Sequence, residues 1–267
     1  MSIDIFDWWI PIQGFSEELD NPEIPVEDGS KYKINSYGFR CDEFIKIHKK
    51  THLLFSGCSN TYGIGLKKEE TWAHQVYSKI NEEKECSGYF NIAFSANNII
   101  NSILNIFKYC KKFGNPDIIF INFPSHSRFF NFNEKSLQYH IIDYKNFDQS
   151  YYINKLTVYN YYLILEQYCK TNNIKLFSFS WDIHDQYFFN KKKKIIFETT
   201  NDLFAKYNFK TFYYINPKNI FDEMFLLKEK HDNYFFDIAR DNKHRGNGIH
   251  LYWSNFIYNK YLESKFN

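Results

Sequence analysis

Two short strings hold the residues best suited to do chemistry. Toward the start of the chain, Leu53, Leu54 and Phe55 run straight into Ser56-Gly57-Cys58-Ser59-Asn60-Thr61-Tyr62-Gly63-Ile64-Gly65. A buried strand ending in a small, glycine-punctuated turn can hold one serine side chain at the carboxyl edge of a sheet, where open α/β folds bind their ligands. Toward the other end, Asp241-Asn242-Lys243-His244 sets an acid and an imidazole three residues apart. A serine hydroxyl is a weak nucleophile until a base takes its proton, and a histidine oriented by a carboxylate is such a base. Together the strings suggest a serine esterase, with Ser59 as nucleophile, His244 as base and Asp241 as its orienting acid. Plainer readings stand beside these: a β–α turn that happens to contain serine, and an exposed histidine ahead of a helix. Cys58 is a second candidate nucleophile, although neighbouring side chains on this path should point to opposite faces.

Elements that alternate between strand and helix would have to position these groups. His52 to Ser56 reads as a first buried strand, and Trp72, Val76 and Ile80 mark one face of a helix. Tyr89 to Phe94 reads as a second strand, and Ile100, Ile103, Leu104, Phe107 and Cys110 form a helical stripe. Gly114-Asn115-Pro116 ends that helix. Asp117 to Phe123 is a continuous apolar run, the pattern of a strand covered on both faces. A helix over 152–171, a strand from Lys175 to Ser180 and a weaker helix–strand pair over 196–215 follow. A last helix carries Ile249, Trp253, Phe256 and Ile257 on one face. This alternation predicts an α/β fold, a parallel sheet with helices on both sides. Residues 129–150 and 182–195 read as surface loops of the kind that shape a substrate cleft.

The 267 residues suffice for one domain over 46–267 preceded by an irregular arm over 1–45, on which Trp8 and Trp9 could act as clamps. Aromatics make up 21% of the chain, alongside abundant Asn, Lys and Ile, which reads as AT-rich coding bias rather than a selected aromatic surface. The net charge of +2 gives no field for nucleic acid or an anionic membrane, and the run Lys191 to Lys194 reads as a solvated loop. Five scattered cysteines with no CxxC argue against zinc, redox or disulfide roles and for a reducing compartment. The first residues lack a basic region followed by an apolar run, and no stretch approaches a membrane span. The expectation is therefore a cytoplasmic protein, in the host cytoplasm or virion if viral, that needs no metal or cofactor. His48, His52, His74, His140, His184 and His231 lack metal-ligand spacing and read as structural or surface residues.

The chain resembles the SGNH (GDSL-type) hydrolase superfamily. Gly57-Cys58-Ser59-Asn60-Thr61-Tyr62-Gly63 is similar to its first block, GDSxTxG, with Cys58 in place of the aspartate. Glu69-Glu70-Thr71-Trp72 is similar to the stretch through which the serine loop enters the first helix. Asn35-Ser36-Tyr37-Gly38-Phe39-Arg40 is similar to a segment that precedes the first strand, and Asp241-Asn242-Lys243-His244 matches the last block, DxxH. The pattern also resembles members from phages and other viruses. The resemblance implies a three-layer α/β/α sandwich with a flavodoxin-like parallel sheet of about five strands. It implies an acyl-serine mechanism in which Ser59, His244 and Asp241 act as above. Two middle blocks depart from the pattern. In Asn91-Ile92-Ala93-Phe94-Ser95-Ala96-Asn97, Ala96 takes the place of a glycine whose amide serves the oxyanion hole; the N–H survives this change where φ is negative. In Phe123-Pro124-Ser125-His126-Ser127-Arg128, His126 falls where an oxyanion asparagine is usual. The implied donors are the Ser59 and Ala96 amides, assisted by His126 or Asn97; a loop histidine bonded to nearby backbone is the other reading of His126. His250 fits a structural histidine of the last helix. Arg128 and Arg240 are candidates for holding a substrate carboxylate or steadying a loop.

The implied substrate is a small-molecule or glycan ester, in particular a short acyl group such as acetyl on a carbohydrate. Two alternatives accompany it: a catalytically weak SGNH-fold module that binds glycans, and an O-acyltransferase using the same serine.

Overall fold

The computed structural model describes residues 23–25, 31–126, 128–133, 138–143, 149–182, 200–215 and 238–266. Trp8, Trp9, the Lys191–Lys194 run and most of the 182–195 segment lie outside the described residues.

A parallel sheet is built from β3 (Leu53–Gly57), β4 (Phe90–Asn91), β5 (Ile118–Phe123) and β8 (Lys175–Ser180), in the spatial order β4-β3-β5-β8. Beyond β8, Phe212 forms an isolated parallel bridge to Ser178, and the Ser178 amide donates to the Thr211 carbonyl at 3.0 Å. This rudimentary fifth position completes the chain order 2-1-3-4-5, the flavodoxin-like doubly wound arrangement. The strand order reverses between β3 and β5 while all strands stay parallel, and that crevice is where such sheets bind ligands.

The alternation of side chains along each strand divides the interior into two layers. On one face Leu54, Ile119, Ile121, Phe123 and Leu176 pack against α3 (Ile99–Phe113), α4 (Gln149–Thr171) and α5 (Thr200–Tyr207). On the other, Leu53, Phe55, Phe120, Phe177 and Phe179 pack against α2 (Trp72–Glu83) and α6 (Asn247–Glu263). Many of these contacts are aromatic: Phe55, Phe120 and Phe177 stack across three strands with centroids 5.2 Å apart at each step. The sheet is thus buried on both sides, as the near-continuous apolar strands require.

Two antiparallel ribbons lie outside the sheet: β1 (Glu23–Pro25) with β2 (Lys31–Lys33), and β6 (Arg128–Asn133) with β7 (Gln138–Asp143). The second corrects the reading of 129–150 as loop. Phe, Tyr and Ile favour a pleated strand, whereas the connecting Glu134-Lys135-Ser136-Leu137 carries no Gly, Asn or Pro to announce a hairpin. The strand expected over Tyr89 to Phe94 is also shorter, at two residues, although the Ile92 amide still donates to the Phe55 carbonyl at 2.9 Å. Phe39 and Phe44, within the segment read as an arm, are buried in the α3-side core.

Candidate active site

At the end of β3 the chain turns into a four-residue helix, α1 (Ser59–Tyr62), with Cys58 extended ahead of it. Gly57 has φ +153°, and a β-carbon there would stand 2.2 Å from Thr61 Oγ1 and 2.7 Å from the Asn122 carbonyl of β5. Glycine alone lets the turn close this tightly onto the neighbouring strand. The turn is held by the Tyr62 amide on the Cys58 carbonyl (2.9 Å) and the Gly63 amide on the Ser59 carbonyl (2.8 Å). Ser59 is buried, and its hydroxyl lies 4.0 Å from Cys58 Sγ.

Asp241 and His244 form one unit. Asp241 Oδ1 accepts the amides of Lys243 and His244, both at 3.1 Å, and Oδ2 lies 2.5 Å from His244 Nδ1. The Ala239 amide on the His244 carbonyl (3.0 Å) closes the loop. Burial would raise the Asp241 pKa, but the bonds from His244 and the two amides outweigh it and hold the carboxyl below its ordinary value. The Asp241 side chain is 5% exposed and that of His244 26%, so the carboxylate is covered while the ring reaches solvent. With Nδ1 committed to the carboxylate, Nε2 is the nitrogen available to exchange a proton with a substrate.

The two motifs meet at Gly65. A β-carbon on this residue (φ +75°) would lie 2.8 Å from Ala239 Cβ, 3.0 Å from Asp241 Oδ1 and 3.1 Å from the Asp241 amide. The Arg240 amide also donates to the Gly65 carbonyl at 3.2 Å. Residues 176 positions apart are thereby brought to one edge of the sheet. Ser59 and His244 do not share a hydrogen bond in this geometry; the hydroxyl is directed to Cys58 instead. His250 is buried and accepts the Trp72 amide on Nδ1 (3.0 Å). Burial first, then nearby His244 and Arg40, push its pKa down to about 3. It joins α6 to the start of α2, a structural part.

The oxyanion candidates divide. Ala96 has φ +56°, in the left-handed region, so the condition of a negative φ under which its amide was to serve the oxyanion is not met. The residue keeps a glycine-like backbone although it carries a β-carbon. The Asn97 side chain is fully buried, and its two N–H groups go to the Gly57 carbonyl and Ser102 Oγ, both at 2.9 Å. Its side-chain amide braces the turn that carries Ser59. His126 is 2% exposed; its amide donates to Thr200 Oγ1 at 2.6 Å, and its Nδ1 lies 3.2 Å from the same oxygen and 3.9 Å from Asp182 Oδ2. Thr200 in turn binds Asp182 Oδ2 through its hydroxyl (2.7 Å) and its amide (2.8 Å).

Trp181 follows β8 and reaches across the end of β5 to give its indole N–H to Cys58 Sγ at 3.1 Å. The Arg128 guanidinium sits over this ring, 5.3 Å from its centroid. Arg240 lies 3.1 Å from Glu70 Oε2 and so ties the acid–histidine loop to the 3₁₀ turn Lys68–Glu70. Trp181, Asp182 and Thr200 were not singled out by the sequence, although two of them stand directly after a strand at the ligand-binding edge, which is the signal that could have found them. A cavity of about 580 Å³ opens behind the serine turn among Tyr32, Arg40, Asp42, Leu66, Lys68 and Arg240. Neither Ser59 nor His244 lines it. Among the described residues no cluster of three metal-ligating side chains occurs, and no helix is long and apolar enough to cross a membrane.

No protein-family profile matches the chain, and no curated protein matches it in sequence. Solved structures do match in shape. The psychrotrophic esterase EstA from Pseudoalteromonas sp., in a structure inhibited by monoethylphosphonate, is 12% identical; the match covers 80% of this chain and 98% of EstA with a TM-score of 0.47. TesA is 10% identical over 76% of this chain and 93% of its own, with a TM-score of 0.40. The acetyl xylan esterase Est2A from the rumen bacterium Butyrivibrio proteoclasticus is 11% identical over 70% of this chain and 57% of its own, with a TM-score of 0.37.

Proposed function

We propose that the protein is a serine esterase of the SGNH type. Ser59 attacks the acyl carbon of an ester, His244 Nε2 takes the hydroxyl proton and returns it to the leaving alcohol, and Asp241 orients the imidazole and stabilises its charged form. Water, deprotonated by the same histidine, then releases the acyl group from Ser59. The Ser59 amide binds the oxyanion, the Ala96 amide joins it from the left-handed backbone a glycine would adopt, and His126, held by Thr200 and Asp182, takes the place of the asparagine of the third block. Arg128 above Trp181 sets a cation beside the nucleophile turn for an acidic group on the ester's carrier. A short acyl group, such as acetyl on a carbohydrate, is the substrate this reading favours.

The observation that carries it is the contact of Gly65 with Asp241, which lays the serine turn against a hydrogen-bonded acid–histidine pair. Rotation of the Ser59 hydroxyl away from Cys58 is then required for reaction; catalytic hydrogen bonds commonly tighten only when substrate binds. One observation favours a second reading, a module that binds an ester without turnover: that same hydroxyl is directed to the sulfur rather than to the imidazole. Labelling with a fluorophosphonate probe and hydrolysis of p-nitrophenyl acetate decide between them. The esterase labels in the wild type and not as Ser59→Ala or His244→Ala. A wild type that neither labels nor hydrolyses is a binder, and labelling that persists in Ser59→Ala removes Ser59 as nucleophile.

A further inference from the structure

We propose that Arg40 and Tyr32 are positioning residues that set where the nucleophile turn stands relative to the Asp241–His244 pair; the inference rests on the esterase reading above. Arg40 ends the segment Asn35-Ser36-Tyr37-Gly38-Phe39-Arg40, to which no catalytic role falls. Asn35 builds a closed turn from this segment: its Oδ1 accepts the amides of Tyr37 (3.0 Å) and Phe39 (2.9 Å), and its own amide donates to the Phe39 carbonyl (2.7 Å). The turn delivers Arg40 into the interior, where it is 6% exposed.

A buried guanidinium needs compensating acceptors. Among the described residues, those of Arg40 are main-chain carbonyls of the loop that follows Ser59. One terminal nitrogen donates to the Gly63 carbonyl at 2.7 Å and the Tyr62 carbonyl at 3.2 Å, and the other to the Leu66 carbonyl at 2.8 Å. The planar fork therefore spans both ends of the loop and fixes their separation, which a lysine ammonium cannot reproduce. Tyr32 completes the clamp. Its ring lies under the guanidinium, 3.8 Å from Cζ to centroid, and its hydroxyl accepts the Gly65 amide at 2.6 Å.

Gly65 is the residue that touches Asp241. The clamp thus holds a loop whose first end is the helix bearing Ser59 and whose far end seats the carboxylate. Arg40 and Tyr32 touch no reacting atom; they act through Gly65. Loosening them lets the serine and the imidazole drift apart while the two cores remain packed.

Two variants test this: Arg40→Lys, which keeps the charge and loses the fork, and Tyr32→Phe, which keeps the ring and loses the bond to the Gly65 amide. Two readouts are taken on folded protein, verified by circular dichroism: the fluorophosphonate labelling rate, and the NMR resonance of the His244 Nδ1 proton in its bond to Asp241. Each variant is expected to label at least tenfold more slowly than wild type, with kcat for p-nitrophenyl acetate falling and KM changing less than twofold. The Nδ1 proton signal should shift or broaden. Variants that fold, label at the wild-type rate and keep that resonance unchanged overturn the inference and leave the esterase reading intact. A wild type that fails to label removes the esterase reading, while an unaltered Nδ1 proton in the variants removes the clamp in its own right. Should Arg40→Lys fail to fold, Tyr32→Phe carries the decision.

Discussion

Gly65 packs directly on Asp241: a methyl group added at Gly65 would come within 3.0 Å of the carboxylate oxygen that accepts the His244 amide. The serine turn and the acid–histidine loop are therefore two sides of one contact, and its tightness is open to measurement. Gly65→Ala should destabilise the fold by roughly 1–2 kcal/mol from the left-handed backbone alone. It should also slow fluorophosphonate labelling at temperatures well below its melting point. Labelling at the wild-type rate would separate the contact from reactivity.

Asp241→Asn tests the orienting role. An amide can present an N–H to Nδ1 and favour the wrong imidazole tautomer, and it carries no charge to stabilise the imidazolium, so kcat for an aryl acetate should fall by about 10⁴, with the fold retained. A loss of less than tenfold would show that His244 does not depend on this carboxylate.

Thr200→Val addresses His126. The substitution deletes the oxygen that accepts the His126 amide and lies 3.2 Å from Nδ1. If His126 serves the oxyanion, kcat should drop by about 10² to 10³ in His126→Ala, on the order of 3–4 kcal/mol of transition-state stabilisation, and by a smaller factor in Thr200→Val. Steady-state kinetics on both variants gives the comparison, and a wild-type kcat in His126→Ala would leave the oxyanion to the amides.

Ala96→Gly should stabilise the protein by about 1 kcal/mol, because φ +56° disfavours a β-carbon but not a glycine. Urea unfolding of the variant at neutral pH measures the gain. A loss of stability would mean that the alanine methyl packs better than its backbone angle suggests.

Acid should weaken the fold through histidines that are buried neutral. Burial first, and neighbouring His48 next, push the His52 pKa down to about 3; its ring stacks on that of His48 at 3.4 Å and its Nε2 lies 2.7 Å from the Tyr109 hydroxyl. His250 is likewise down at about 3. Both lie below the ordinary value of 6.5, so the unfolded chain takes up protons before the folded one does. Their stability is complete above about pH 6.5 and drains away toward pH 3, by up to about 1.4 kcal/mol per pH unit for each group. Asp241, with its lowered pKa, acts in the same direction at the acid end. Urea midpoints at pH 7 and pH 5 should differ strongly in wild type and less in His52→Gln; equal differences would exclude His52 as a source.

Much of this arrangement was legible in the sequence because both cores use strong periodic signals. The strand Lys175–Ser180 falls where its apolar run places it, and the stripe from Ile100 to Cys110 lies on α3. The acid–histidine pair was legible because three-residue spacing in a turn lets a carboxylate reach the following amides and ring. Trp181 and Thr200 were not, since their meaning lies in contacts to Cys58 and His126 across long stretches of chain. The bracing bond from Asn97 to the Gly57 carbonyl was hidden for a related reason: a buried amide looks the same in sequence whatever it faces. Ala96 kept the backbone of a residue it does not resemble, which side-chain identity conceals.

The bond from the Trp181 indole to Cys58 Sγ gives the molecule an optical gauge of its own. Among the described tryptophans, Trp72 and Trp253 are sealed inside the core, whereas Trp181 is partly exposed and bonds to the residue before Ser59. If Ser59 is the nucleophile, an acyl or phosphonyl group on it should alter the surroundings of that indole, and an emission change that disappears in Trp181→Phe would follow the filling and emptying of the site in real time.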